Sequence, residues 1–512
     1  MKRSFLSFLL LLSILLSALP VMAMEASLPE DVIEWKQQSL SAEGAPLLRT
    51  LSDKAGTAGA DWYAIALARL GFADDYTAYR AMLEAKIEET LAEGAEKALA
   101  SDLQRMALTL LAVGGDPSAV NVKGEAVDLV ALSTYERSET APLGKQGVNG
   151  YLWALILLSA ADREIPAGSA ETLDTILTAV LENQLENGSF TLNGLDYETD
   201  LTAMAVIALA PYQERTVTLA SGPVKVADRM ELAIDYLATT QQADGRCGSW
   251  DKYTAETTAQ VIIALCSAGI NPNTDPRFIK EGKTLWDGLM LFRTGKGGFA
   301  HSLNAMADSM ASAQTLLAIA AQVRYEKTMP ALYDLSADGK TPVNLFTGEK
   351  LSFSVTFGKE GKAAYEAIPK TVTTAHYSEV LRLLAILEGA TDGDNYSELK
   401  VDLQRMKAEI EAIQAEIAAL DAAILALPVD PADCDADAVF ALMERAAKLS
   451  SYDRGQLKNY DILEQTSATI HRTARMETVR NLVLIAIVLL VILLVLRVLL
   501  RKSKKKSTAF AD

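Results

Sequence analysis

Chemistry in this chain has to come mainly from carboxylates and aromatic rings, because the other reactive side chains are few. Three histidines occur, His301, His376 and His471, and three cysteines, Cys247, Cys266 and Cys434. No Cys-x-x-Cys and no Cys/His cluster exists, so the spacing of a structural zinc site is missing. No Gly-x-Ser-x-Gly elbow, no phosphate-cradling loop and no cofactor motif is found. What recurs is a polar residue just ahead of small and apolar residues at helical spacing: Asp61, Asp102, Asn149, Asp200, Glu256 and Asp308. Near them stand Trp62, Tyr63, Tyr151, Trp153, Tyr197, Trp250, Phe299 and His301. Paired carboxylates, or a Tyr with a His, could act on a glycan across a cleft. Aromatic walls with a few polar groups could equally hold a ligand. The simpler reading of the acids is helix capping, and of the aromatics core and loop packing.

These residues sit in repeats. Asp61–Ala68, Asn149–Leu158, Asp200–Leu209, Glu256–Leu265 and Asp308–Leu317 share one pattern, and a looser copy starts at Asp102. Each segment is apolar nearly all round, which predicts a buried helix. Amphipathic helices with a charged face are predicted between them, at about 31–51, 76–97, 122–134, 170–184, 228–241 and 282–293. A pair of helices cannot bury its inner face alone, whereas six pairs can close on themselves. The expected fold is all-α: an α6/α6 toroid over 30–335, with the polar starters ringing one mouth. Between outer and inner helices lie Gln184–Phe190, Gln242–Trp250 and Thr294–Phe299. There a glycine permits the reversal, and the aromatic is expected to tuck back under the loop.

The helical pattern stops in a bridge, 336–394. Alternation in Leu351–Phe357 suggests a short strand or hairpin within it, and a helix returns at Ala375–Gly389. Residues 395–478 read as a helical stalk compatible with a coiled coil. At the N-terminus, 1–23 has the charged start, apolar run and small residues of a signal peptide. Residues 481–500 are long and apolar enough to span a bilayer, and 501–512 form a basic tail expected on the cytoplasmic side. The expected location is therefore the cell membrane, single-pass, with the ectodomain outside. Net charge is −18 over 512 residues, which disfavours nucleic acid as a partner. With so few cysteines, an exported chain of this length does not rely on disulfides.

The Gln…Gly…aromatic loops, with Asp200–Tyr212 and Thr257–Leu265, resemble the prenyltransferase and squalene-oxidase repeat superfamily. Ala255–Phe278 and Gly298–Leu317 look like bacterial surface proteins carrying that terpenoid cyclase-like toroid, which are similar to the helical domain of cobalamin carriers. The resemblance is best over 147–335 and weaker over 55–146. Ala441–Ile470 looks like the helical spacers of bacterial surface proteins. The zinc ligands of protein prenyltransferases would fall at Glu256, Thr258 and Ala311, where thiolate and imidazole are both missing. The Asp-x-Asp-Asp acid of triterpene cyclases is absent, and Asp433–Asp437 lies in the stalk. Asp74-Asp75 is followed by Tyr76, Thr77 and Ala78, so the Asp-Asp-x-x-Asp motif is missing too.

The sequence thus predicts a membrane-anchored binding or adhesion module without intact enzyme motifs. Its candidate mouth residues are Trp62, Tyr63, Trp153, Tyr197, Asp200, Trp250, Glu256, Phe299, His301 and Asp308. The expected partner is a small molecule or a surface polymer or protein, with no cofactor and no metal. An extracellular toroid-class enzyme acting on a glycan or isoprenoid, and a structural spacer, are the alternatives.

Overall fold

Alanine-rich stretches that are apolar on every side can only be stable when surrounded by other helices, and they are. A computed structural model describes residues 27–92, 94–122, 124–192, 198–336, 343–350 and 356–508. The predicted signal segment lies outside these residues, as does most of the predicted strand at 351–357. The described residues are mostly helical, with three short two-stranded antiparallel hairpins among them. It divides into two units. The first comprises the described residues up to Phe357 together with Ala385–Asp394; the second comprises Gly358–Leu384 and everything from Asn395 onward.

In the first unit the helices are α1 (Ser27–Ser39), α2 (Leu47–Leu51), α3 (Ala58–Leu70), α4 (Tyr76–Ala92), α5 (Ala100–Ala112), α6 (Leu129–Ser133), α7 (Val148–Ala160), α8 (Leu173–Leu181), α9 (Thr199–Leu209), α10 (Val226–Thr240), α11 (Ala255–Ser267), α12 (Leu285–Met290) and α13 (Ser309–Glu326). The odd-numbered helices from α3 to α13 are the buried repeats. Each packs on the next, and α13 packs back on α3. The others cover them: α4 on α5, α6 on α5 and α7, α8 on α7, α10 on α9, α12 on α11, α1 on α13 and α2 on α3. α10 shows how the covering works, turning Val226, Met230, Ala233, Ile234 and Leu237 inward at helical spacing.

Three loops repeat one hydrogen-bond pattern. Gln184, Gln241 and Arg293 each bridge to the residue six positions on: Phe190, Cys247 and Phe299. The amide of that second residue then donates to a hydroxyl on the following buried helix. Phe190 N donates to Thr202 Oγ1 at 2.9 Å, Cys247 N to Thr258 Oγ1 at 3.1 Å, and Phe299 N to Ser312 Oγ at 2.9 Å. Gln184 Nε2 ties the first loop to Gly188 O and to Arg229 O, at 3.0 and 2.8 Å. In the second loop the register starts at Gln241, so Cys247 takes the buried slot. Trp250, predicted to tuck under that loop, stands outside it.

Other outer-helix predictions change locally. The segment 31–51 is two helices, since Gly44-Ala-Pro46 interrupts it. The segment 122–134 begins in a hairpin, β1 (Val120–Val122) with β2 (Glu125–Val127), and keeps only the short α6. A second hairpin, β3 (Thr216–Leu219) with β4 (Gly222–Lys225), precedes α10. The bridge contains a helix that periodicity did not reveal, α14 (Gly358–Ala367), followed by α15 (Tyr377–Gly389).

In the second unit α16 (Ser397–Leu425), α17 (Ala436–Lys448) and α19 (Tyr460–Thr508) are joined by turns that include the short α18 (Ser451–Arg454). Leu420, Ile424, Val439, Leu442, Ala446, Leu457 and Leu463 form one core there. Asp453 fastens α18 by accepting from Thr374 N and Oγ1 at 2.9 and 2.8 Å. α19 runs unbroken from this core through Arg497, and its most apolar window has a mean hydropathy of 3.0 and is wholly unburied. It is long and apolar enough to cross a membrane.

Thr258→Val keeps the shape of the side chain but strands the Cys247 amide. We expect a loss of about 1–3 kcal/mol in chemical denaturation, with Thr258→Ser close to wild type.

Candidate functional site

The N-terminal ends of α11 and α13 each receive a loop that doubles back as a small finger, and a single bridge lies ahead of α9. Phe190 bridges to Glu198, β5 (Gly248–Ser249) pairs with β6 (Lys252–Tyr253), and Ala300 bridges to Ala307. The two fingers lean on the helix before their own. Ser249 Oγ lies 2.7 Å from Thr199 Oγ1 and accepts from Thr199 N at 3.0 Å, at the start of α9. Likewise the Ala255 amide, at the start of α11, donates to His301 O at 3.3 Å.

This interlock gathers three of the predicted residues. His301 Nδ1 lies 3.0 and 3.1 Å from the two carboxylate oxygens of Glu256. Asp200 keeps solvent access. Even so, desolvation raises its pKa, outweighing the opposite pull of the Thr257 hydroxyl and of His301. On the finger ahead of α11, Trp250 forms the hairpin tip with Asp251, at φ of 56° and 58°, and is 57% exposed. Leu303 and Met306, on the finger ahead of α13, are 37% and 90% exposed. Sequence reasoning missed these two, because exposure of a loop apolar residue leaves no periodic signal.

The expectation that the polar starters cap their helices holds only for Asp308, which accepts from Met310 N and Ala311 N at 2.8 and 3.0 Å. Thr57, Leu99, Gly147, Glu198 and Thr254 hold the cap positions of the other five. Asp200 and Glu256 are second residues of their helices, where an acid complements the dipole and the side chain stays free for other partners. Asp61 lies deeper, fully buried, accepting from Tyr79 Oη at 2.7 Å, Gly56 N at 2.9 Å and Arg105 Nε at 3.2 Å. Burial pushes its pKa up to about 6 against the pull of Arg105.

The predicted aromatics separate into three groups. Trp62 and Trp153, from helices that are not neighbours in the packing order, stack at 5.4 Å and 28°, and Tyr333 meets Trp153 edge-on at 6.1 Å. Tyr63 is fully buried and donates to Ser309 O at 3.0 Å, with Lys36 over its ring and bonded to Ser309 Oγ at 2.6 Å. Phe299 is buried under its loop. Tyr63 and Phe299 are thus struts rather than mouth residues, because each fills a slot that the packing requires. Tyr197 lies outside the described residues, and Tyr151 is half-buried near the start of α7.

Chemically, the arrangement offers a solvent-reachable carboxylate, a Glu–His pair and an exposed indole. Among the described residues no group of three His, Cys, Asp or Glu side chains is placed to hold a metal ion. At the positions of the prenyltransferase ligands, Thr258 is committed to its loop and Ala311 is buried. No protein-family model, no curated protein and no solved structure matches the chain.

Asp61 supplies a pH signature. Its folded pKa is raised, so its contribution to stability is complete below about pH 4 and is lost as the pH rises through about 6. Wild type should therefore lose thermal stability relative to Asp61→Asn between pH 4 and pH 7; a difference independent of pH would refute this.

Proposed function

We propose that the chain is a single-pass, membrane-anchored module that binds a surface polymer, protein or small molecule outside the cell. In this reading the closed packing order of α3 to α13 is an α/α toroid of six helix pairs, related to the repeat proteins that the sequence resembles. The stack of Trp62, Trp153 and Tyr333 then plugs its centre. Engagement is left to the mouth, where Asp200, Glu256, His301 and Trp250 come together.

The observation that carries this reading is Trp250. A bulky residue at positive φ is held against about 1–3 kcal/mol of strain only where its surroundings enforce it. Here the pairing of Ser249 with Lys252 leaves a two-residue loop, which demands positive φ at Trp250 and Asp251, and the result is an indole presented to solvent. Exposed tryptophan and methionine mark binding surfaces more than ordinary surface. The apolar N-terminal run and the basic flank of the C-terminal span support export and anchoring in that orientation. A glycan-directed enzyme is the second reading, favoured by the grouping of Asp200, Glu256 and His301.

Trp250→Gly should separate fold from function. The substitution relieves the strained turn, so thermal stability stays level or rises. Retention of wall polysaccharide or surface-protein fractions on the immobilised full-length protein should fall at least tenfold. Unchanged retention would remove the mouth from consideration, and glycan turnover abolished by Asp200→Asn would favour the enzyme.

A further inference from the structure

The carboxylate of Glu326 closes α13 and, among the described residues, has no ion-pair partner. It sits at the opposite end of that helix from Asp308. Next to it α11 ends at Ser267, with Cys266 Sγ 3.7 Å from Gln322 Oε1 of α13. A cavity of about 680 Å³ opens there, bordered by Cys266, Ser267, Asn271, Tyr325, Glu326 and Met329 among others. Its size is that of a small-molecule site.

The cavity is electronegative by construction. Among the described residues, Glu326 is the one charged residue that borders it, and the C-terminal ends of two helices add negative partial charge. The same carboxylate joins burial in pushing the Cys266 thiol pKa up.

Glu326 is also held in place. Gln322 is fully buried, and its Oε1 accepts from Trp286 Nε1 at 3.2 Å and from the Cys266 thiol. Two donors on that oxygen fix which way the amide points. Its Nε2 therefore faces Glu326 and donates to Oε1 at 2.7 Å. One carboxylate oxygen is oriented by a buried relay, and the other remains for a ligand. A carboxylate prepared in this way, without a cation among the described residues and beside Tyr325 and Met329 in a half-open cavity, matches a single ammonium group on a carbon skeleton. A calcium ion would want six or more oxygens.

We propose that this cavity binds an organic ammonium ion, with its charged head on Glu326 and its alkyl part against Tyr325 and Met329. The site is separate from the mouth and does not depend on the binding role proposed there.

The test is calorimetric titration of the full-length protein in detergent with choline, n-butylammonium, the neutral choline isostere 3,3-dimethylbutan-1-ol, and calcium. Saturable binding of at least one of the two ammonium ions is expected, with the neutral isostere at least tenfold weaker. Glu326→Gln keeps an acceptor for Gln322, so it should fold normally and bind at least tenfold more weakly. Thr328→Lys, at an exposed position on the cavity border, supplies a tethered ammonium and should compete to a similar extent. Absence of saturable binding by either ammonium ion at millimolar concentration overturns the proposal. So does equal affinity for the neutral isostere, tighter binding of calcium, or unchanged affinity in both variants.

Discussion

The hydroxyl that closes each loop onto the next buried helix is the constraint from which the rest of the first unit follows. An outer helix must end, reverse and deliver the chain to a helix that is apolar on all sides, and the reversing backbone cannot be buried with its amide unpaired. Thr202, Thr258 and Ser312 supply the acceptor at the same place in three successive repeats. Each costs one small polar atom in a helix that otherwise carries alanine and aliphatic side chains. Because that contact fixes the buried residue at the end of each loop, whatever follows it is pushed outward as a finger. Trp250, His301, Leu303 and Met306 all stand on what the clamp leaves over.

This explains why one loop presents its tryptophan instead of burying it. Phe190 and Phe299 fill the slot under their loops, while in the second loop Cys247 does. A smaller residue satisfies the same backbone geometry, and the aromatic three positions later falls on a hairpin tip. Binding surfaces often arise where a repeat departs from its own pattern, since the scaffold is already secured by the copies that keep to it. The acids nearby follow the same logic. Asp308 is spent on capping, whereas Thr254 caps α11 and so leaves Glu256 to pair with His301.

The two ends of the buried helices differ in electrical character for a reason that lies in the backbone. N-terminal ends attract carboxylates and hold Asp200 and Glu256; C-terminal ends repel them. Glu326 stands at the unfavourable end, held by a buried glutamine. A carboxylate kept where the helix dipole opposes it is a choice of sequence that packing alone does not require.

Periodicity and composition by themselves determined the helical class, the six buried segments, most but not all of the covering helices, the long helix of the second unit and the apolar span. These follow from local burial patterns that a linear pattern expresses directly. The Gln and Gly loops were legible too, but only to within one residue, and that residue decided where Trp250 went. Only the tertiary structure could pair Glu256 with His301, stack Trp62 on Trp153, bury Asp61 with Arg105 or bring Trp286 and Cys266 onto Gln322. Each of those contacts depends on side-chain direction and on which helices become neighbours. Distance along the chain carries no information about either, because most of these partners lie on different helices brought together by packing.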